Sequence, residues 1–314
     1  MSMDKAKPLV VMLMGPTASG KTDLAMRIAD HLPASLISVD SALIYKGMDI
    51  GTAKPEPEVL SAYPHRLVDI MDPAESYSAA TFREDALACI DDALANQRLP
   101  ILVGGTMMYF NALIKGMATL PDADPVLRTE LEARIQQEGI ESLHAQLAQL
   151  DPVAAERLHP SDSQRVQRAL EVCLLSGQSM TSLWAQQAEV ELPFRYLSLA
   201  LMPQDRSILH KRIEQRFDKM LEQGFETEVR SLFERQDLHP SMPSIRAVGY
   251  RQMWQYLDGE LGYKDMREKS IVATRQLAKR QYTWLRSWDD LHVLDGVNEN
   301  ILPNALKLIQ QAII

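Results

Sequence analysis

At 314 residues, with 46% hydrophobic and 24% charged side chains, the chain has the composition of an ordinary globular protein and can bury one large core or two. No charge-free apolar stretch approaches the ~20 residues of a membrane span, and Met1 to Pro8 has no signal-peptide layout, so a cytoplasmic protein without a membrane partner is expected. The net charge of −9 argues against a protein coated in nucleic acid, although a local basic surface remains open; Cys89 and Cys173 offer neither a metal set nor a disulfide framework.

The apolar run Leu9 to Met14 predicts a strand that ends at Gly15-Pro16-Thr17-Ala18-Ser19-Gly20-Lys21-Thr22. A helical pattern follows, with Leu24, Ala25, Ile28 and Leu32 on one side. Strand, glycine-rich turn and helix in this order make a P-loop. Its amides and the helix N-terminus suit phosphate oxygens, Lys21 supplies a mobile charge, and the Thr22 hydroxyl can ligate Mg²⁺. A nucleotide such as ATP and any other pyrophosphate compound present the same oxygens, so the loop alone does not choose between them.

Ser35 to Val39 reads as the second strand, and Asp40 stands at its carboxyl end, where ligands gather in open parallel sheets. A carboxylate there can accept a substrate proton or hold Mg²⁺ through water; capping a turn is the competing reading. Ile50 to Pro55 is a loop, and His65 to Ile70 is a short third strand candidate. Ser78 to Asn96 has helical periodicity. Pro100 to Val103 is the next buried strand, ending in Gly104-Gly105-Thr106, either a close approach to a ligand with a hydroxyl beside it or a plain turn.

From Pro121 to about Leu192 the pattern is helical without a strand signal, which predicts an inserted subdomain, 121–192, in a core formed by 1–120 and 193–314. Within it, Asp162 to Ser176 carries Gln164, Arg165 and Arg168 opposite its apolar stripe, and Glu171 is placed to pair with Arg168 on a solvated face. Tyr196 to Leu201 and His292 to Asp295 complete the strand candidates. Between them, Asp205 to Leu221 places Arg212 and Arg216 one turn apart, able to close over phosphates or simply to face solvent. Ile271 to Arg286 is basic and acid-free, with Arg275, Lys279, Tyr282 and Arg286 on one helical stripe. Cations for phosphates and Tyr282, Trp284 or Trp288 for unpaired bases suit RNA; a solvated basic helix with buried aromatics is the alternative.

Several stretches together resemble the bacterial tRNA dimethylallyltransferases, also called tRNA isopentenyltransferases. They are GPTASGKT at 15–22, DSALIYKGMDIGTAKP at 40–55, GGTMMY at 104–109, ADPVLR at 123–128, QRVQRALEV at 164–172 and SIRAVGYRQ at 244–252. The resemblance implies an α/β fold, a P-loop kinase-like parallel sheet core with a helical insertion that clasps the tRNA anticodon stem-loop. It implies transfer of a dimethylallyl group from dimethylallyl diphosphate to N6 of the adenosine 3′ of the anticodon, in tRNAs reading codons that begin with U, with Mg²⁺ as cofactor. The P-loop would then hold the donor diphosphate, helped by Arg216 rather than Arg212, with Asp40 as general base and Thr106 orienting the reactants. By the same likeness tRNA would meet Asp40, Ser41, Ala42, Leu43, Thr106 and Arg128. Further tRNA contacts would be Gln164, Arg165, Val166, Gln167, Arg168, Arg246, Ala247, Val248, Gly249, Tyr250 and Arg251, and then Lys279, Arg280, Gln281, Tyr282, Thr283, Trp284, Leu285 and Arg286. Eukaryotic relatives add a zinc finger that two cysteines cannot build, so a monomer binding tRNA without an obligate protein partner is expected. A small-molecule kinase with ATP in the loop, and a non-catalytic RNA-binding protein with a nucleotide switch, share the P-loop; the kinase leaves the basic helix without a purpose, and the switch does not require Asp40 and Thr106.

Overall fold

The computed structural model describes residues 7–118, 120–186, 191–296 and 300–314. The reading of Met1 to Pro8 therefore falls mostly outside the described residues, as do residues 187–190 of the expected insertion. Two compact units are distinct, one formed by 1–114 with 191–314 and the other by 115–190.

The first unit is built on a parallel six-stranded sheet. Its strands are β1 (Leu9–Met14), β2 (Ala34–Val39), β3 (His65–Arg66), β4 (Leu99–Gly104), β5 (Arg195–Leu201) and β6 (Leu291–Leu294), in the order β3-β2-β4-β1-β5-β6. β1 lies between β4 and β5, with Met14 paired to Gly104 and to Ala200. Being buried on both faces, it has no polar residue, as parallel central strands require. Alternate residues serve opposite layers. Val10, Met12 and Met14 pack with Phe82 and Ile90 of α3 (Ala79–Ala95) and Phe110 of α4 (Met107–Lys115). Val11 and Leu13 pack with Leu24 and Ile28 of α1 (Lys21–Ala29) and with a C-terminal helix at Ile301–Ile313.

The third strand is shorter than the apolar run suggests. Leu67 and Asp69 adopt left-handed backbone with φ of 63° and 55°, which ends the pairing after two residues. The turn instead brings Asp69 to Lys54, whose buried ammonium also bonds Asp49 Oδ1 at 2.5 Å and the Tyr45 carbonyl at 2.9 Å. Glu228 completes the support of this loop by accepting the Asp49, Ile50 and Gly51 amides at 2.9, 2.7 and 3.0 Å.

A helical layer follows β5: α10 (Arg206–Glu222), α11 (Phe225–Phe233), α12 (Tyr250–Leu257) and α13 (Tyr263–Arg286), where α2 (Pro57–Ala62) and α5 to α9 are the remaining helices in chain order. α10 and α13 are tied by Arg267 to Asp218 at 2.7 Å and by Arg275 to Glu214 at 3.0 Å. α13 begins eight residues before the acid-free stretch, so that basic stretch is its C-terminal part.

The second unit contains α5 (Pro125–Glu138), α6 (Ile140–Leu150), α7 (Pro152–Arg157), α8 (Ser163–Ser176) and α9 (Met180–Ala185). Its core gathers Leu131, Leu143, Leu147, Val166, Leu170 and Met180. Glu171 is fully buried there, taking Arg128 Nε at 3.0 Å, Arg168 Nη1 at 2.7 Å and the Asp124 amide at 3.0 Å. The expected solvated pair is thus a buried carboxylate that fixes α5 to α8, because two guanidiniums and an amide offset its desolvation.

Lys54→Met keeps the aliphatic stem but leaves Asp49 and Asp69 facing each other without a cation. The loss expected is about 2–3 kcal/mol, below the ~3–5 of a fully buried pair because both carboxylates are part-exposed. Urea unfolding with an unchanged slope checks this, and a change under about 0.5 kcal/mol would mean that the ammonium does not hold the loop.

Candidate active site

The P-loop forms because β1 must turn sharply into α1. Ala18 and Gly20 supply left-handed backbone at φ 63° and 94°, and Gly20 stands immediately before the first helical residue, Lys21. The loop borders a cavity of about 110 Å³ in the first unit. Thr17, Lys21, Arg216, Asp40 and Gln281 give it a polar part, while Ile213, Phe217, Met220, Val248, Tyr250 and Leu277 give it an apolar wall.

Arg216 reaches in from α10 and donates from Nη2 to Thr17 Oγ1, whereas Arg212 lies outside the cavity lining, with Nη1 3.4 Å from the Ser19 carbonyl. Burial brings the Lys21 ammonium from its ordinary 10.5 down to about 8, with Asp40 opposing the fall and Arg216 adding to it. Burial also lowers Arg216, again opposed by Asp40. Two cations and one carboxylate leave the enclosure with an excess positive charge suited to a diphosphate.

Asp40 caps the turn after its strand and also faces the cavity. Its Oδ1 accepts the Ala42 and Leu43 amides at 2.9 and 3.4 Å, closing the turn after β2, and the residue lines the cavity beside Lys21. Thr106 sits at the end of β4 and fixes the neighbouring turn, its Oγ1 accepting the Ser41 amide at 3.1 Å. It is not in the cavity lining. Gly104 and Gly105 are crowded by protein, by the Val39 carbonyl and by Gln281 respectively, so the close approach belongs to the chain itself and not to a ligand.

Helical periodicity divides the remaining candidates. On α13, Lys279, Arg280, Thr283, Trp284 and Arg286 are exposed, while Gln281, Tyr282 and Leu285 are buried. Tyr282 donates its hydroxyl to the Pro203 carbonyl at 2.9 Å, Leu285 belongs to the sheet core, and Trp288 is held half-buried against Ser198. Stacking of bases on Tyr282 and an RNA contact by Leu285 are therefore corrected, leaving Trp284 as the exposed aromatic of this stretch. Arg275 leaves the basic stripe for its ion pair with Glu214. Arg246 and Arg251 are exposed, whereas Ala247, Val248, Gly249 and Tyr250 line the cavity. In the second unit Gln164 and Arg165 are exposed, with Arg165 paired to Asp162 at 2.9 Å, and Gln167 is half-buried against the Arg128 carbonyl. Val166 is a core residue, which corrects its reading as an RNA contact. Among the described residues no cluster of three His, Cys, Asp or Glu side chains could hold a metal, and no helix is long and apolar enough to cross a membrane.

Sequence reasoning missed Glu228, Lys54 and the inward role of Gln281. Glu228 also accepts the Tyr250 hydroxyl at 2.5 Å, so one carboxylate holds two walls of the cavity. The only signal was a glutamate in an amphipathic helix.

A family model described as IPP transferase matches residues 43–288. The chain is similar to the solved tRNA isopentenylpyrophosphate transferase of Bacillus halodurans, at 36% identity over 98% of this chain and 97% of that one, with a TM-score of 0.71. It is similar to the tRNA Δ2-isopentenylpyrophosphate transferase of Staphylococcus epidermidis at 30% identity over 97% and 99% of the two chains, with a TM-score of 0.69. A eukaryotic dimethylallyltransferase acting on tRNA matches at 26% identity over 95% of this chain and 78% of that one, with a TM-score of 0.79.

Lys21 gives the site a pH signature. Below about pH 8 the ammonium is mostly formed, and above it a diphosphate held by Lys21 would have to recruit a proton, so affinity for a prenyl diphosphate is expected to fall by up to about tenfold per pH unit. Calorimetric titration at pH 9 in buffers of different ionisation heat should show proton uptake, and Lys21→Met should abolish it. Affinity independent of pH, without uptake, would remove Lys21 as a diphosphate ligand.

Proposed function

Because the chain belongs to the IPP transferase family, we propose that it transfers a dimethylallyl group from dimethylallyl diphosphate to N6 of the adenosine 3′ of the anticodon in tRNA, releasing pyrophosphate. The family chemistry is tRNA prenylation. The observation that carries the finer reading is the cavity that joins a cationic pair, Lys21 and Arg216, to the Asp40 carboxylate and an apolar wall. A phosphate donor, a proton acceptor and a greasy transferred group need those three surfaces together.

In this reaction the N6 lone pair attacks the allylic C1, the C1–O bond breaks, and its electron pair leaves with pyrophosphate. Negative charge grows on the leaving oxygens, which Lys21, Arg216 and the loop amides after Thr17 stabilise. The N6 proton passes to Asp40, whose second oxygen lies outside the turn hydrogen bonds. Adenine N6 is a poor nucleophile inside a base pair, so the target must lie in a loop or be extruded, and the base enters the cavity out of its stack. The apolar wall of Ile213, Phe217 and Met220 takes the prenyl carbons and excludes water from the allylic centre. Thr106 acts at one remove, by holding the turn that carries Asp40 and Ser41.

Hard oxygen donors fit Mg²⁺: Thr22 at the start of α1, together with substrate oxygens, would hold it. When bound, the ion supplies further charge to the diphosphate. Exposed Lys279, Arg280, Arg286 and Trp284 suit a phosphate backbone and an unstacked base, and Arg246 and Arg251 add positive charge. We assign the second unit to the anticodon stem-loop on the exposed Gln164 and Arg165 and the half-exposed Arg128 and Arg168.

Three experiments test these roles. With Mg²⁺ and unmodified tRNA, the protein should yield adenosine heavier by one dimethylallyl group with the diphosphate donor, whereas ADP formed from ATP without that mass would support the kinase reading. Asp40→Ala should lower transfer at least about a hundredfold, within the ~10²–10⁴ range of general-base contributions, with tRNA affinity within about threefold in filter binding; retained turnover removes Asp40 as the base. Charge reversal at Lys279 and Arg280 should weaken tRNA binding and flatten its salt dependence, the slope changing by roughly one for each phosphate no longer neutralised. Unchanged binding would return that face to solvent.

A further inference from the structure

Gln281 stands on the inward side of α13, 7% exposed, and joins two segments remote in sequence. Its Oε1 accepts the Thr17 amide of the P-loop at 2.8 Å, and its Nε2 donates to the Gly105 carbonyl at 2.9 Å. The amide orientation is unambiguous, because a flip would set Nε2 against an N–H and Oε1 against a carbonyl. A Cβ on Gly105 would collide with Gln281 Nε2 and come within 3.1 Å of the Gly15 carbonyl, so the fit leaves no slack. Gly105 leads into Thr106, whose hydroxyl holds the Ser41 amide beside Asp40. Thr17 is also gripped through its hydroxyl by Arg216.

We propose that Gln281 is a positioning residue that sets the P-loop, and with it the donor diphosphate, in register with the β4 turn that steadies the acceptor side. This rests on the prenyl transfer proposed above. The tie occupies the Thr17 amide, so Thr17 gives its N–H to alignment while the later loop amides remain for the diphosphate. Displacement at C1 requires attacking nitrogen and leaving oxygen on opposite sides of one carbon, and a misplacement of about 1 Å costs on the order of a hundredfold in rate. The amide therefore acts on turnover and not on the affinity of either substrate. The same helix turn presents Lys279, Arg280 and Trp284 outward, so tRNA held on that face presses on the element that aligns the reactants.

The test uses the full-length protein with Mg²⁺, unmodified tRNA and dimethylallyl diphosphate. Gln281→Met keeps the length and removes both hydrogen bonds. Its kcat should fall about 10- to 100-fold, with KM for each substrate within about threefold and the urea midpoint close to that of the unaltered protein. Gln281→Glu keeps an acceptor for the Thr17 amide but turns a carboxylate toward the Gly105 carbonyl. Its kcat relative to the unaltered protein should rise as pH falls, when the protonated acid donates again. Gly105→Ala displaces the Gln281 amide without altering that residue and should reproduce the kcat loss, which keeps the test open if Gln281→Met does not fold. A folded Gln281→Met with kcat within twofold of the unaltered protein, or a loss confined to KM for tRNA, overturns the inference. No transfer by the unaltered protein would instead overturn the function on which it rests.

Discussion

Two cations held at one cavity, Lys21 after the P-loop turn and Arg216 reaching in from α10, are the constraint on which the rest of this molecule depends. Burial disfavours the charged form of both, Arg216 adds to the effect on Lys21, and Asp40 is the carboxylate that offsets it. Such a pair persists because the surrounding structure fixes it: β1 is buried on both faces, the helix starts at Lys21, and α10 is clamped to α13 by Arg267 and Arg275. In the proposed transfer a diphosphate would meet both cations, and because charge on it grows as the C1–O bond breaks, the same electrostatics would favour the transition state over the ground state.

The first half of the fold was legible because its signals are local. β1, the P-loop and α1 follow from an apolar run, two glycines and a periodic stripe, and Ser78 and Asp162 cap α3 and α8, their side chains accepting the Thr81 and Arg165 amides. The third strand was overread because an apolar run says nothing about backbone sign, and Leu67 and Asp69 take left-handed conformations on behalf of the Lys54 cluster. The Lys54 bond to Asp69 and the Glu228 support of the Asp49 to Gly51 amides are contacts across 15 and up to 179 residues, and nothing in the local sequence marks them.

At the candidate site several segments named from sequence line one cavity, and some of the residues named with them are buried in the core. Treating Lys279 to Arg286 as a continuous contact stretch ignored the helical period, which buries Gln281, Tyr282 and Leu285 and leaves Lys279, Arg280, Thr283, Trp284 and Arg286 outside. Val166 in α8 fails for the same reason. Arg216 and Arg212 differ by one turn of α10: at 216 the guanidinium lines the cavity and meets Thr17, whereas at 212 it lies outside the cavity lining beside the Ser19 carbonyl.

The charge distribution follows from how the arginines are used. A net charge of −9 is compatible with an RNA substrate because many arginines do structural duty: Arg235, Arg267 and Arg275 join helices or loops, and Arg128 and Arg168 neutralise the buried Glu171. Among the described residues, no ion pair engages Lys279, Arg280 or Arg286, which are exposed on the helix whose other side carries Gln281. Helix geometry forces that arrangement, since residues two apart in sequence point about 160° away from each other at 3.6 residues per turn. One helix thus carries exposed cations on one side and, on the other, an amide bonded to both the P-loop and the β4 turn, so the proposed binding of the large substrate and alignment of the small one would fall to a single element.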